Sequence, residues 1–268
     1  MMSTYSKRGL WIVLTALFAL ALSATLAVTA QGDQMGCTLP EGTPTTISAA
    51  KLYIEFMSTG IDLGVHGFFD DHGWSELCVY DPSGALVLAV KPQSQLRDLT
   101  MAGLFFESRE PVIAEYPFEA LFAQFPEGEY TIIGTNFDGT GLKGTATFSH
   151  TVAAPPVITG PALMTEDRVA EMVHPVGDML ISWEPVTETL DGQPVTIAGY
   201  EVIVTNMDAK YFDSFAQPIY DVHLPADRAN LTVPAVFFQP GTRYEVEIVA
   251  IEESGNQTIN NGYFTTAG

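Results

Sequence analysis

Asp178-Met-Leu-Ile-Ser-Trp183-Glu-Pro185, followed by Ile197-Ala-Gly-Tyr200-Glu-Val-Ile-Val204 and Gln239-Pro240-Gly-Thr-Arg-Tyr244-Glu-Val-Glu-Ile-Val-Ala250, sets the architecture of this chain. Side chains of a half-buried strand alternate between faces, so apolar residues recur at every second position. Met179, Ile181 and Trp183 share one face, and so do Tyr200, Val202 and Val204. In the third segment Tyr244, Val246, Ile248 and Ala250 point one way while Glu245 and Glu247 point the other. Pro240-Gly241 supplies turn chemistry before Tyr244, and Asp191-Gly192 marks a loop between the first two strands.

This arrangement resembles a fibronectin type III domain over roughly residues 155–266. The residues that carry the likeness are Trp183 with its following Glu-Pro, Gly199-Tyr200, and Tyr244 after Pro-Gly-Thr. The resemblance implies a β-sandwich in which the Tyr244 hydroxyl bonds back to nearby backbone. It also implies an adhesion, spacer or protein-binding role, although such sandwiches host many unrelated functions.

The 268 residues suffice for two domains. Residues 1–30 read as a cleavable export signal of bacterial type. Lys7 and Arg8 precede an apolar run from Leu10 to Val28, and Val28-Thr29-Ala30 offers small residues before Gln31. The alternative is an uncleaved anchor, since the run approaches spanning length. Cleavage leaves no stable membrane span in the mature chain, which is then secreted or periplasmic, with cell-surface association compatible. It removes two basic residues and no acidic one, taking the net charge from −21 to −23. Such a balance excludes nucleic acid and anionic membrane surfaces as partners and permits cations. In an exported chain the two cysteines, Cys37 and Cys78, are expected to pair. Asn230-Leu-Thr232 and Asn256-Gln-Thr258 match the glycosylation acceptor pattern and are read as chance in a bacterial protein.

Residues 31–48 lack periodicity and read as a flexible tether. Residues 49–151 read as a β-sandwich-like domain with short helices. Leu52, Ile54 and Phe56 alternate, as do Leu63, Val65 and Phe69. Trp74–Tyr80 and Ala85–Val90 flank Asp81-Pro82-Ser83-Gly84, a type I hairpin turn. Leu96, Leu99, Gly103 and Phe106 have helical spacing, and so do Phe118, Leu121, Phe122 and Phe125 behind Pro117. Aromatic residues at this spacing, with Phe105 among them, are expected to be core. Pro126 precedes Tyr130 by the offset that separates Pro240 from Tyr244, so both domains open a strand with the same device. Residues 152–156 read as a linker stiffened by two prolines, and 157–268 as the fibronectin type III-like domain, with 162–174 unassigned. The fold class is thus mostly β, with two β-sandwich domains after a signal peptide.

The best candidate for chemistry is Asp62 to His72. With 63–69 a strand, Asp62, His66, Phe68 and Asp70 share the face opposite Leu63, and Asp71 and His72 follow in a loop. Asp62, His66, Asp70 and Asp71 form a candidate metal set for Ca²⁺ or Zn²⁺, although the spacing matches no calcium loop or zinc helix. The competing account is a solvated strand face leading into a turn. Glu107, Glu110, Glu115 and Glu119 contain the carboxylates a glycosidase pair requires, but pairs arise by chance in so acidic a chain. Nucleophile elbows and phosphate-cradling loops are absent. His150, His174 and His223 read as surface or satisfied structural residues. Tyr53, Trp74 and Tyr80 form an exposed aromatic platform if their strand face is open. No catalytic residue and no organic cofactor is assigned. The expected function is a non-enzymatic binding or adhesion protein for a protein or glycan ligand, its C-terminal domain a scaffold or spacer. The alternatives are a metal-dependent enzyme or carbohydrate-binding accessory with its site around Asp62–Trp74, and an assembly subunit that adds strands to partners.

Overall fold

A computed structural model describes residues 36–210 and 218–268. The expected signal peptide and residues 31–35 of the expected tether lie outside the described residues. The first lobe is built from β1 (Thr45–Thr46), β2 (Ala49–Met57), β3 (Asp62–Tyr80), β4 (Leu86–Val90), β5 (Met101–Glu107), β6 (Gly128–Asn136) and β7 (Gly141–Phe148). The two strands read over 63–69 and 74–80 are one 19-residue strand, β3. It bends at residues 70–74, where its register with β5 slips and Gly73 adopts φ 142°. Before the bend β3 pairs with β2 and β5, and after it with β4 and β6. A strand that turns a corner folds the sheet over its own apolar face. Leu52, Ile54, Leu63, Phe69, Trp74, Leu77, Ile132 and Phe148 meet there in one buried cluster.

Two expectations for this lobe are corrected. The helical spacing from Leu96 to Phe106 holds only for α1 (Ser94–Leu99); Met101–Glu107 is a strand. Thr100, at φ 65°, breaks the helix. Beyond it the pattern switches to period two: Leu104 and Phe106 pack on the core while Phe105 is 54% exposed. The second helix, α2 (Phe118–Gln124), forms behind Pro117 as its spacing implies. Residues 36–48 are also no flexible tether. Cys37 is joined to Cys78 by a disulfide, the Tyr80 hydroxyl accepts from the Cys37 N–H at 3.2 Å, and Thr45–Thr46 pair with β7. Ile47 is buried over Gly144.

The second lobe contains β8 (Val157–Gly160), β9 (Val173–His174), β10 (Met179–Glu184), β11 (Ile197–Asn206), β12 (Ile219–Pro225), β13 (Asn230–Val233), β14 (Arg243–Glu252) and β15 (Gln257–Thr266). A three-stranded sheet in the order β13-β10-β8 faces the run β15-β14-β11-β12. Trp183, Tyr200, Val202, Tyr244, Val246, Ile248 and Phe264 fill the space between them. This is a fibronectin type III-like sandwich. Tyr244 Oη accepts from the Gln239 N–H at 2.8 Å, and Tyr130 Oη donates to the Pro126 carbonyl at 3.1 Å. Both tyrosines thus bond back to the turn that opens their strand, Tyr244 as acceptor from the residue before its proline and Tyr130 as donor to its proline's carbonyl. The unassigned stretch forms a 3-10 turn (Glu166–Glu171) and β9 beside β15.

The lobes are not beads on a stiff spacer. β2 and β15 pair in parallel, with Glu55 opposite Gln257 and Met57 opposite Ile259, so one sheet runs from lobe to lobe. Asn256, 2% exposed, accepts from the Ile54 N–H at 2.7 Å and donates to the carbonyls of Ser149 and Thr151 at 3.0 and 2.7 Å. Val152 and Ala153 of the linker are buried, and Thr258 Oγ1 donates to the Ala153 carbonyl. With its amide fully committed inside the fold, Asn256 cannot carry a glycan.

Candidate functional site

The shared sheet presents one face away from both cores. Across it run Glu107 of β5, His66 of β3, Tyr53 and Glu55 of β2, Ile259 and Asn261 of β15, Glu245, Glu247 and Val249 of β14, Glu201 of β11, and Asp221 and His223 of β12. Strand parity puts these side chains on one side because Leu52, Ile54, Val202, Val246 and Ile248 occupy the other. Val249 and Ile259 belong to neither core, yet they are only 1% and 5% exposed.

His66 is the centre of this face in the first lobe. It stands on the polar parity of β3 but is only 3% exposed. Tyr53 packs against its ring at 5.2 Å and Phe105 meets it edge-on at 5.8 Å. Nε2 lies 2.9 Å from Glu110 Oε1, while Nδ1 faces Glu55 Oε2 across 3.7 Å. Glu110 reaches His66 because residue 64 is glycine: a Cβ there would meet Glu110 Cγ at 2.8 Å. Ser108 fixes the approach of this segment, its hydroxyl accepting from the Val65 N–H at 2.9 Å and its own N–H donating to the Val65 carbonyl.

Burial dominates the electrostatics. It pushes Glu55 up to about 7; His66 opposes this, and the charges of Glu110, Glu107 and Asp62 reinforce it. Burial pulls His66 down, but the bond to Glu110 and the charge of Glu55 outweigh it, and His66 ends above its ordinary value. Across the sheet, burial and then Asp221 and Glu55 push Glu201 up to about 7. Burial followed by Glu245, Glu55 and Glu201 pushes Glu247 up to about 8. Tyr263, which donates to Glu245 Oε1 at 2.7 Å, is raised by burial and by that carboxylate. A second imidazole joins here, His223 Nε2 lying 3.5 Å from Glu201 Oε1. In each of the sets Glu55–His66–Glu110 and Glu201–Asp221–His223, one ligand atom from every residue lies within 4.8 Å of the others. Closely set carboxylates held partly protonated near neutral pH favour any cation that neutralises them: a metal ion, an ammonium or a guanidinium.

The residues expected to share a metal do not converge. Asp62, His66 and Asp70 share a face, but four residues along a strand span about 13 Å, too far for one ion. Burial, and after it the charge of Glu110, raises the pKa of Asp62. Asp70 lies opposite Gly103 of β5. Asp71 turns elsewhere, accepting from the Ser48 N–H at 2.9 Å. His66 instead recruits Glu55 from the neighbouring strand and Glu110 from the loop beyond β5. Glu55 was visible only as the polar parity of β2, and Glu110 only as one of four scattered glutamates; the register that unites them is not local. Glu115 instead lies 3.6 Å from Arg109. The aromatic platform does not form around Trp74, which is wholly buried with Nε1 donating to the Ala102 carbonyl at 3.0 Å. His150 stacks on Phe122 at 4.0 Å, and His174 lies 2.7 Å from the Ala162 carbonyl.

Fold and face together define a mostly β protein of two sandwich lobes, the second fibronectin type III-like, that exposes an acidic sheet. No protein-family model matches the sequence. Among solved structures, the chain is similar to a computationally redesigned β-sandwich protein, with 19% identity over 43% of this chain and 96% of that one and a TM-score of 0.28. It is also similar to the FN1-FN3 domains of chicken CNTN1 (11%, 84% and 65%, TM-score 0.34) and to the fn3 domain of the human collagen alpha-1(XX) chain (21%, 44% and 84%, TM-score 0.24).

Proposed function

We propose that this is an exported, non-enzymatic binding protein of adhesion or scaffold type, in which the second lobe is the scaffold and the outward face of the shared sheet takes a cationic partner. The observation that carries this reading is the row Glu55, Glu247, Glu201 on one face, where burial and mutual repulsion hold three carboxyls at about 7, 8 and 7. A basic side chain docking there relieves that repulsion, which is a favourable term any neutral partner lacks. Glu55 and His66 have the proton affinities of a general acid–base pair, but they stand on a sheet face spread over seven strands rather than on converging loops, an arrangement suited to binding.

The test is retention of the purified protein on an immobilised oligolysine peptide. Replacing Glu201, Glu245 and Glu247 together by Gln should weaken binding roughly tenfold, at ~0.5 kcal/mol for each charge pair lost. Replacing Glu41, Glu129 and Glu184, which lie elsewhere and remove the same number of carboxylates, should change it far less at about pH 9, where the raised pKa values of Glu201 and Glu247 no longer hold their protons. Equal losses from the two triple variants mean that net charge binds rather than this face, and the reading fails.

A further inference from the structure

We propose that Glu55 and His66 bind one divalent transition metal of the zinc class on the outward face between β2 and β3, with Glu110 as the positioning residue behind the imidazole. Neutral imidazole and carboxylate are the donors such ions take, with metal–nitrogen and metal–oxygen bonds of about 2.0–2.2 Å. Two donors on one tetrahedral ion therefore stand roughly 3.4 Å apart. His66 Nδ1 and Glu55 Oε2, separated by 3.7 Å, are too distant for a hydrogen bond and near that spacing. The other ring nitrogen is already engaged, with Nε2 2.9 Å from Glu110 Oε1. A carboxylate on the far nitrogen fixes the tautomer and orientation of a metal-bound histidine, leaving the near nitrogen free to donate its lone pair.

The ring is also held in place independently of its charge. It is 3% exposed, and Tyr53 and Phe105 close on it from two sides. Glycine at 64 leaves the notch through which Glu110 passes, and Ser108 pins the segment that delivers it. A buried imidazole clamped from behind and aimed at a partly exposed carboxylate on the next strand is arranged as half of a metal site. Water on the solvent side completes the coordination. This assignment requires nothing of the cationic partner proposed above, whose test reads Glu201, Glu245 and Glu247.

The experiment is titration of the chelator-stripped full chain with Co²⁺, which reports nitrogen and oxygen ligation through its visible bands. At about pH 8, where protons compete least for the imidazole, one equivalent should bind with histidine-type bands. Glu55→Gln should abolish them, and Glu110→Gln should lower affinity about ten- to a hundredfold while retaining them. Glu201→Gln, at the second imidazole-containing set, should leave them unchanged. Glu55 is partly exposed, so its Gln variant carries the test even if His66→Asn fails to fold. Absence of bands at millimolar Co²⁺, bands that persist in Glu55→Gln, or bands lost in Glu201→Gln would each overturn the assignment.

Discussion

A methyl group at position 64 would stand 2.8 Å from Glu110 Cγ and 3.0 Å from its Oε1, and the long glutamate side chain can yield more easily than the strand. Gly64→Ala should therefore leave the fold intact and push Glu110 away from His66. That removes the hydrogen bond that does most to raise the imidazole pKa and leaves the burial that lowers it opposed mainly by the charges of Glu55 and Glu107. The expected outcome is a downward shift of the His66 titration midpoint in chelator-treated protein, followed by its ring resonances in NMR. An unchanged midpoint would show that Glu110 does not control this ring. At this scale the sequence was half legible. Parity placed His66 correctly on the face of Asp62 and Asp70, but parity carries no distance, and residues on one strand stay about 13 Å apart at four positions' separation. The groups that reach His66 come from β2 and from beyond β5, and only register reveals them.

Among the elements, the strands with strict alternation were plain in the sequence, and the Pro-to-Tyr spacing marked a strand entry in both lobes, where each tyrosine hydroxyl bonds back to its turn. The stretch from Leu96 to Phe106 was not, because a short helix and a strand meet at Thr100 and their apolar residues together imitate one helical face. The pairing of β5 with β3 explains a glycine in a strand that otherwise favours side chains: the Phe106 ring lies across Gly67 where a Cβ would stand. Gly67 is itself buried, and the Phe106 ring is packed on the core, so the ring has little room to yield. Gly67→Ala should cost about 1–3 kcal/mol, the usual range for forcing extra volume into a packed site. Urea unfolding measures it as a lowered midpoint at constant slope. A loss within about 0.5 kcal/mol, typical of an open surface position, would contradict the packing of β5 on β3.

For the whole molecule, the parallel pairing of β2 with β15 decides what the acidic face is. Each lobe alone carries carboxylates on an ordinary polar parity. Joined, they bring Glu55 of the first lobe into the field of Glu201 and Glu247 of the second. Contacts between residues some 200 positions apart, such as Asn256 with Ile54, leave no local pattern, which is why the junction read as a linker. The consequence is a definite pH dependence. In the folded chain Glu247 stays protonated up to about 8 and Glu201 up to about 7, whereas unfolded they ionise in the ordinary carboxylate range. Between those limits the folded state binds more protons, so stability falls as pH rises. Asp81, Asp138 and Asp208 act oppositely: their pKa values are lowered on folding, so their contribution is complete above the ordinary carboxylate range and is lost as pH falls through and below it. The melting temperature should thus peak near pH 5, decline toward pH 8, and drop steeply in acid. Glu247→Gln, which keeps the shape and removes the titration, should flatten the decline and raise the melting temperature at pH 8. Calorimetry at fixed ionic strength of about 0.1 M, which screens distant charges but not this crowded row, checks both. A melting temperature that rises from pH 5 to pH 8, or a Glu247→Gln profile parallel to the parent, would mean that the lobes do not bring these carboxyls together.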